Sequence, residues 1–328
     1  MGSSLDLLRD HVASELAEPV RDEVHEVAEA ICRRHGDAVL GILFYGSCLR
    51  KKTDEGVLDF WVVVDDYGRA HSRPSHAWTN RIAPPNVYFF EHEFEHEAIG
   101  RTTLYSKYGI LDRRAFELGT RLSSPHPYIW SRFSQPVRLV HCRDDAARRF
   151  FEHAVTEAII SMVGRLVCYL PAKGRWRRFS LAAFWQEAFR RTYACERRPE
   201  GEDSILDLYR VDEERYDRVG EWAISVLTER GHFESSIPHP RSFEVEIPVS
   251  RARRQRIRWE LMRRYARALG LVRLLKTAFT FDDWVPYVLW KLERHTGKRI
   301  ETTERQRKHP FIFGWPIILP LLFRRNPH

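Results

Sequence analysis

Apolar side chains recur at helical spacing in two N-terminal stretches, Leu5 to Leu16 and Val20 to His35, with Pro19 as a start signal and Gly36 as a stop. The period then changes. Ala38 to Phe44 is short and almost wholly apolar, as expected of a strand covered on both faces, and residues 57–64 repeat that signal. Pro74 to Arg81 predicts a short helix, Val87 to Phe94 a third strand and Val137 to His141 a further strand, while residues 99–120 are mixed. After Arg143-Asp144-Asp145 helical spacing takes over. It covers Ala146 to Leu170, Ser180 to Arg197 with Ser180 as a cap, and Tyr216 to Arg230 up to Gly231. Ser235 to Val249 reads as a loop plus one strand, in which Phe243, Val245 and Ile247 alternate. The order of elements predicts an α+β chain: a mixed unit over 1–145, a mostly helical unit over 146–300 and a tail over 301–328.

The last third adds charge to this picture. Arg251 to Lys276 sets nine arginines against the single acid Glu260, and Ile257, Leu261, Tyr265, Ala268, Leu271 and Leu275 mark one helical face. An amphipathic segment, Phe281 to Arg294, follows. A basic cluster, Arg305 to His309, then precedes the apolar run Pro310 to Phe323, which Arg324 and Arg325 close. That run is shorter than the ~20 residues a bilayer crossing needs, and prolines interrupt it, so it suits the interface of a membrane rather than its interior. The competing reading is a tail docked on its own core. The net charge of +8 and pI near 9.3 favour anionic partners. A hydrophobic content of 43% with 30% charged residues excludes a disordered chain. Five cysteines without paired metal spacing suit a reducing compartment. Asp6, Asp10 and Glu15 near the N-terminus give no import or secretion signal, so the expected location is the cytoplasm, peripheral to the inner membrane.

Chemistry concentrates where the first two strands meet. Tyr45-Gly46-Ser47 follows one strand, and Leu58-Asp59-Phe60 opens the next. Gly46 lets the backbone approach a ligand closely, and Ser47 supplies a hydroxyl and an amide where a helix can start. Asp59 interrupts a run of β-formers, where a lone charge needs a cation or a donor. Together they read as the metal and triphosphate corner of a nucleotidyltransferase fold, with Asp59 as the first ligand for Mg²⁺. Asp65 is in phase with Asp59 and is the candidate second ligand, although six residues of strand separate them by roughly 20 Å. Its alternative role, shared with Asp66, is to close the strand. Glu55, Glu91 and Glu93 are further candidate carboxylates. His92-Glu93-Phe94-Glu95-His96 fits the zinc-protease spacing, but that motif works on a helix and here it continues a strand signal.

The ordered set Tyr45-Gly46-Ser47, Leu58-Asp59-Phe60, Val64-Asp65-Asp66, His71-Ser72, Asn86-Val87-Tyr88-Phe89, Lys107-Tyr108-Gly109-Ile110 and Gln135-Pro136-Val137-Arg138-Leu139-Val140 resembles the mitochondrial-type phosphatidate cytidylyltransferases, the CDP-diacylglycerol synthases of the translocator assembly and maintenance family. The resemblance covers roughly residues 38–142. It implies CTP as nucleotide donor, phosphatidate at an acidic membrane surface as acceptor, Mg²⁺ as cofactor and no nucleic-acid partner. It also implies that Tyr45, Gly46, Ser47, Lys107 and Tyr108 bind nucleotide, that Asp59 and Ser47 are catalytic, and that His71 and Lys107 meet substrate. Cys48 departs from the family, which has a small glycine there, and is expected to crowd the phosphate turn. Two other readings stay open: a nucleotidyltransferase acting on RNA, a small molecule or a protein, and a non-catalytic basic adaptor for RNA or acidic membrane.

Overall fold

A computed structural model describes residues 2–51, 56–96, 100–196, 202–239 and 242–280. The two N-terminal apolar stretches form α1 (Ser4–Ala17) and α2 (Asp22–His35). β1 (Val39–Tyr45) then leads through the short helix α3 (Ser47–Lys51) to β2 (Val57–Val64). Two helices, α4 (Tyr67–Ala70) and α5 (Pro74–Ile82), precede the hairpin of β3 (Asn86–His96) and β4 (Gly100–Asp112). α6 (Arg113–Thr120) and α7 (Trp130–Phe133) connect to β5 (Val137–Cys142). The five strands form one mixed sheet in the order β3-β4-β2-β1-β5. β2 and β4 run parallel, and the remaining neighbours are antiparallel.

The mixed stretch 99–120 is β4 plus α6. Leu104, Ser106, Tyr108 and Ile110 are buried at every second position, and the polar members of that face concealed the strand period from an apolar count. β1 and β2 occupy the middle of the sheet and are covered on both faces. Ile42, Phe44, Phe60 and Val62 pack with Val24, Val27 and Ile31 of α2, whereas Leu43, Trp61 and Val63 belong to the core on the opposite side.

That opposite core is built mainly by the second half of the chain, in which helices dominate. α8 (Asp145–Leu166) carries the densest set of buried side chains, followed by α9 (Leu181–Glu196), α10 (Glu202–Arg210), α11 (Glu213–Glu229) and the long α12 (Val249–Thr280). Ser180 caps α9 as the sequence predicts, its Oγ accepting from the Ala183 amide at 3.2 Å. Residues 234–246 correct one expectation. They hold two strands, β7 (Glu234–His239) and β8 (Ser242–Glu246), which join β6 (Trp176–Ser180) in a three-stranded antiparallel sheet ordered β6-β8-β7. One apolar cluster runs from Leu8 of α1 through Leu43, Trp61 and Phe151 to Trp185, Val219 and Trp259, so the core is continuous across residue 145. The fold is therefore α+β. Among the described residues no helix is long and apolar enough to cross a membrane. Phe281 to Arg294 and the expected tail over 301–328 lie outside the described residues.

Glu15 of α1 and Arg215 of α11, each 4% exposed, form an ion pair inside this second core. Arg215 Nη2 donates to Glu15 Oε1 at 3.1 Å and Nη1 to the Ser134 carbonyl at 3.0 Å, while the Val137 amide donates to Glu15 Oε1 at 3.3 Å. Leaving one charge of such a pair buried alone costs about 3–5 kcal/mol, whereas replacing both by apolar groups costs far less. Arg215→Met should therefore lower the urea-unfolding free energy by about 3–5 kcal/mol, and the double variant Glu15→Leu/Arg215→Met by less. A double-variant loss at least as large as that of the single variant would contradict the coupling.

Candidate functional site

The register of three strands builds one corner. Tyr45, the last residue of β1, pairs with Asp59 of β2, and Asp59 pairs with Lys107 of β4. Asp59 and Lys107 sit on adjacent parallel strands and project to the same face, so their side chains meet: Lys107 Nζ lies 3.5 Å from Asp59 Oδ1. Both remain open to solvent, at 24% exposure for Asp59 and 40% for Lys107, so a ligand can reach them.

Gly46 turns the chain out of β1 with φ +95°, a left-handed conformation that L side chains rarely adopt. A Cβ at this position would lie 3.0 Å from Asp59 Oδ2. The carboxylate thus lies directly across from the glycine bend, as the sequence predicts. Ser47 begins α3, whose first turn closes with the Arg50 amide donating to the Gly46 carbonyl at 3.2 Å. The Arg50 guanidinium donates to Gln135 Oε1 at 3.2 Å and ties this turn to the residues just before β5.

Further groups, which sequence reasoning missed, complete the corner. Arg132 of α7 stacks on the Tyr128 ring at 4.0 Å and donates to the Tyr128 carbonyl at 2.7 Å. Arg273 of α12 lies over the same ring at 4.4 Å, and Trp61 meets it edge-on at 5.6 Å. The Tyr45 phenol is pushed above its ordinary range, first by burial and then by the negative charge of Asp59, with Arg132 and Lys107 acting in the opposite sense. One carboxylate, two cations and a second phenol therefore lie around the Tyr45 hydroxyl at the end of the sheet. No periodic signal marks Arg132, whose only sign in the sequence is its place between Trp130 and Phe133.

Several expected site residues lie elsewhere. Asp65 stands just past the far end of β2, bound by Arg69 at 2.7 Å and by Arg143 at 3.0 Å, so it cannot share an ion with Asp59. Tyr108 follows Lys107 in the same strand and so faces the opposite side, where it is fully buried, bonded to His35 Nε2 at 3.1 Å and stacked on Tyr88. It cannot touch a ligand held by Lys107. His71 is also on that side, 8% exposed, with Nδ1 3.2 Å from the Tyr88 hydroxyl. Cys48 does not crowd the turn, because its Sγ is buried in the α2-side core and points at the Val57 carbonyl, 3.4 Å away. Residues 86–96 form a strand, which rules out the helical geometry of the zinc-protease spacing, and His92 Nε2 lies 3.3 Å from Glu26. Glu55 lies outside the described residues.

Among the described residues no three His, Cys, Asp or Glu side chains converge in a way that would hold a metal. Asp59 alone still fits Mg²⁺, which keeps several waters and is commonly held by one or two carboxylates together with substrate phosphates. Its carboxylate is open, faces the bend where those phosphates would lie, and has Lys107 beside it to share their charge.

Gly46→Ala forces a Cβ onto a φ of +95° and against Asp59, so it should lower the unfolding free energy by about 1–3 kcal/mol in a urea titration. A second test concerns His71, whose imidazole is pushed down from 6.5 to about 4 by burial and then by the neighbouring His35, His76, Lys276 and Arg34. Its folded form stays neutral where the unfolded chain takes up a proton. Stability should therefore fall as pH drops from about 6.5 toward 4, by up to about 3 kcal/mol, and His71→Gln should flatten that slope. An unchanged slope in His71→Gln would assign the acid sensitivity to other groups. No protein-family model and no curated protein matches the chain.

Proposed function

We propose that this protein is a Mg²⁺-dependent nucleotidyltransferase that moves CMP from CTP to phosphatidate, giving CDP-diacylglycerol and pyrophosphate at a membrane surface. The observation that carries the reading is the placement of Asp59, across from the Gly46 bend and beside Lys107. The nucleotidyltransferase fold, CTP and phosphatidate come from the resemblance over residues 38–142. The membrane surface comes from the sequence of residues 301–328, which lie outside the described residues.

The phosphomonoester of phosphatidate is already an anion at neutral pH, so its oxygen attacks without a general base. The new bond forms between that oxygen and the α-phosphorus, and the bond from the α-phosphorus to its bridging oxygen breaks, with pyrophosphate taking the electron pair. Bound at Asp59, Mg²⁺ would neutralise charge on the attacking and leaving oxygens. The Gly46 bend and Ser47 admit the triphosphate close to the backbone, and the Ser47 hydroxyl donates to it. Lys107 and Arg132 supply fixed positive charge toward the phosphates. The chain thus acts by positioning and electrostatic stabilisation.

Purified protein with CTP, phosphatidate and Mg²⁺ should release pyrophosphate. Asp59→Ala should slow that release by about 10²-fold or more, the scale on which one electrostatic group of a transition state acts, while leaving the unfolding transition in place. Lys107→Met should slow it by a smaller factor. Pyrophosphate release at an undiminished rate by Asp59→Ala removes the carboxylate from the mechanism. Release that does not depend on phosphatidate keeps the corner and assigns another acceptor.

A further inference from the structure

A second feature stands apart from the Asp59 corner. Between α8, the turn after α11 and the N-terminal half of α12 lies a cavity of about 730 Å³ lined by Arg165, Arg251, Arg254 and Arg258, with no acidic residue in its wall. Among the described residues none of these four arginines forms an ion pair. Charge of one sign gathered around a concavity repels itself, and that repulsion is relieved by a counter-ion of opposite sign.

Arg165 shows the cost most clearly. It is drawn inward to donate to the Leu122 carbonyl and, at 2.6 Å, to the Ser124 carbonyl. Burial, and then the charge of Arg258, push its guanidinium down to about 10. Its Nε is buried and makes no hydrogen bond among the described residues, and neither does the buried Oε1 of Gln255, which also lines the cavity. Arg165 thus places a partly buried positive charge behind this wall, with no carboxylate paired to it among the described residues. Arg251 and Arg258 are held toward the cavity from its rim. Arg251 meets His232 Nδ1 at 3.3 Å, and Arg258 donates to the Ser123 carbonyl at 3.2 Å. Arg254 is exposed. Trp259 contributes an apolar wall.

Guanidinium groups converging without carboxylates match an anion with several oxygens, because each planar fork binds two of them at once. We propose that this cavity is a second anion site, taking the phosphate end of a small molecule that carries a phosphomonoester or diphosphate group. It is distinct from the Asp59 corner. Arg273, which borders that corner through Tyr128, lies on the same helix as Arg258, and the helical rise from residue 258 to 273 is about 22 Å. No single phosphate group reaches both, and the assignment stands whether or not the corner binds nucleotide.

Titration calorimetry on the full chain, with EDTA present to silence metal-dependent binding, tests the assignment using two probes, sodium pyrophosphate and monomeric short-chain phosphatidate. The intact protein should bind at least one probe with one-to-one stoichiometry. Arg254→Ala/Arg258→Ala should weaken binding by about tenfold or more, while Arg33→Ala, at an exposed arginine of α2 on the other side of the sheet, leaves it unchanged. Arg254→Glu is a second variant at an exposed position, and it should weaken binding similarly if the double variant does not fold. Tighter binding of the short-chain lipid assigns a lipid headgroup, and tighter binding of pyrophosphate assigns a soluble phosphorylated compound. No binding by the intact protein overturns the proposal, as does undiminished binding by both arginine variants.

Discussion

Glu15 and Arg215 are two hundred residues apart in sequence and meet where almost no water reaches. A buried ion pair persists only when the remaining donors and acceptors find partners, and here the Ser134 carbonyl and the Val137 amide provide them. The pair therefore fixes α1, α11, the end of α7 and the start of β5 in one arrangement. Val137 pairs directly with Tyr45 across the sheet, so the anchor sits one strand away from the glycine bend. The candidate site is open and charged, whereas the ion pair one strand behind it is buried and held by backbone partners.

The core around this anchor explains why the charged corner is confined to one end of the sheet. β1 and β2 are covered on both faces over most of their length, and a carboxylate further along would have no access to solvent. At residue 59 the helical cover thins, and the side chain regains partial exposure. At the other end Asp65 meets a different solution to the same problem, since two arginines neutralise it and the strand stops. An aspartate within β2 and one just beyond its far end thus have different surroundings because of where each falls relative to the packed layer.

Much of this was legible in the sequence. The apolar runs located β1 and β2, and the conjunction of Gly46, Ser47 and Asp59 placed a carboxylate across from a bend, which is the geometry found. Strand parity, applied with the same rigour to Lys107 and Tyr108, would have put them on opposite faces, because neighbours in a strand alternate. Cys48 and His71 could not be read this way, since the direction of each side chain is set by tertiary packing rather than by spacing. Arg132 was equally hidden, and although the arginines of α12 stood out in the sequence, their meeting with Arg165 of α8 around one cavity did not. Both depend on which parts of α7, α8 and α12 come together, and no local pattern encodes that encounter.

Beyond its role in packing, α12 makes contact with distant parts of the fold along its length. Near its start it roofs the cavity, in its middle Tyr265 stacks with His126, and toward its end Lys276 donates to the carbonyls of Ala83 and Pro85 at 2.5 and 2.7 Å, next to the beginning of β3. An α-helix resists bending far more than loops do. Because one continuous helix carries all three contacts, a single element sets the spacing between the cavity, the turn that holds His126 and the segment that leads into β3.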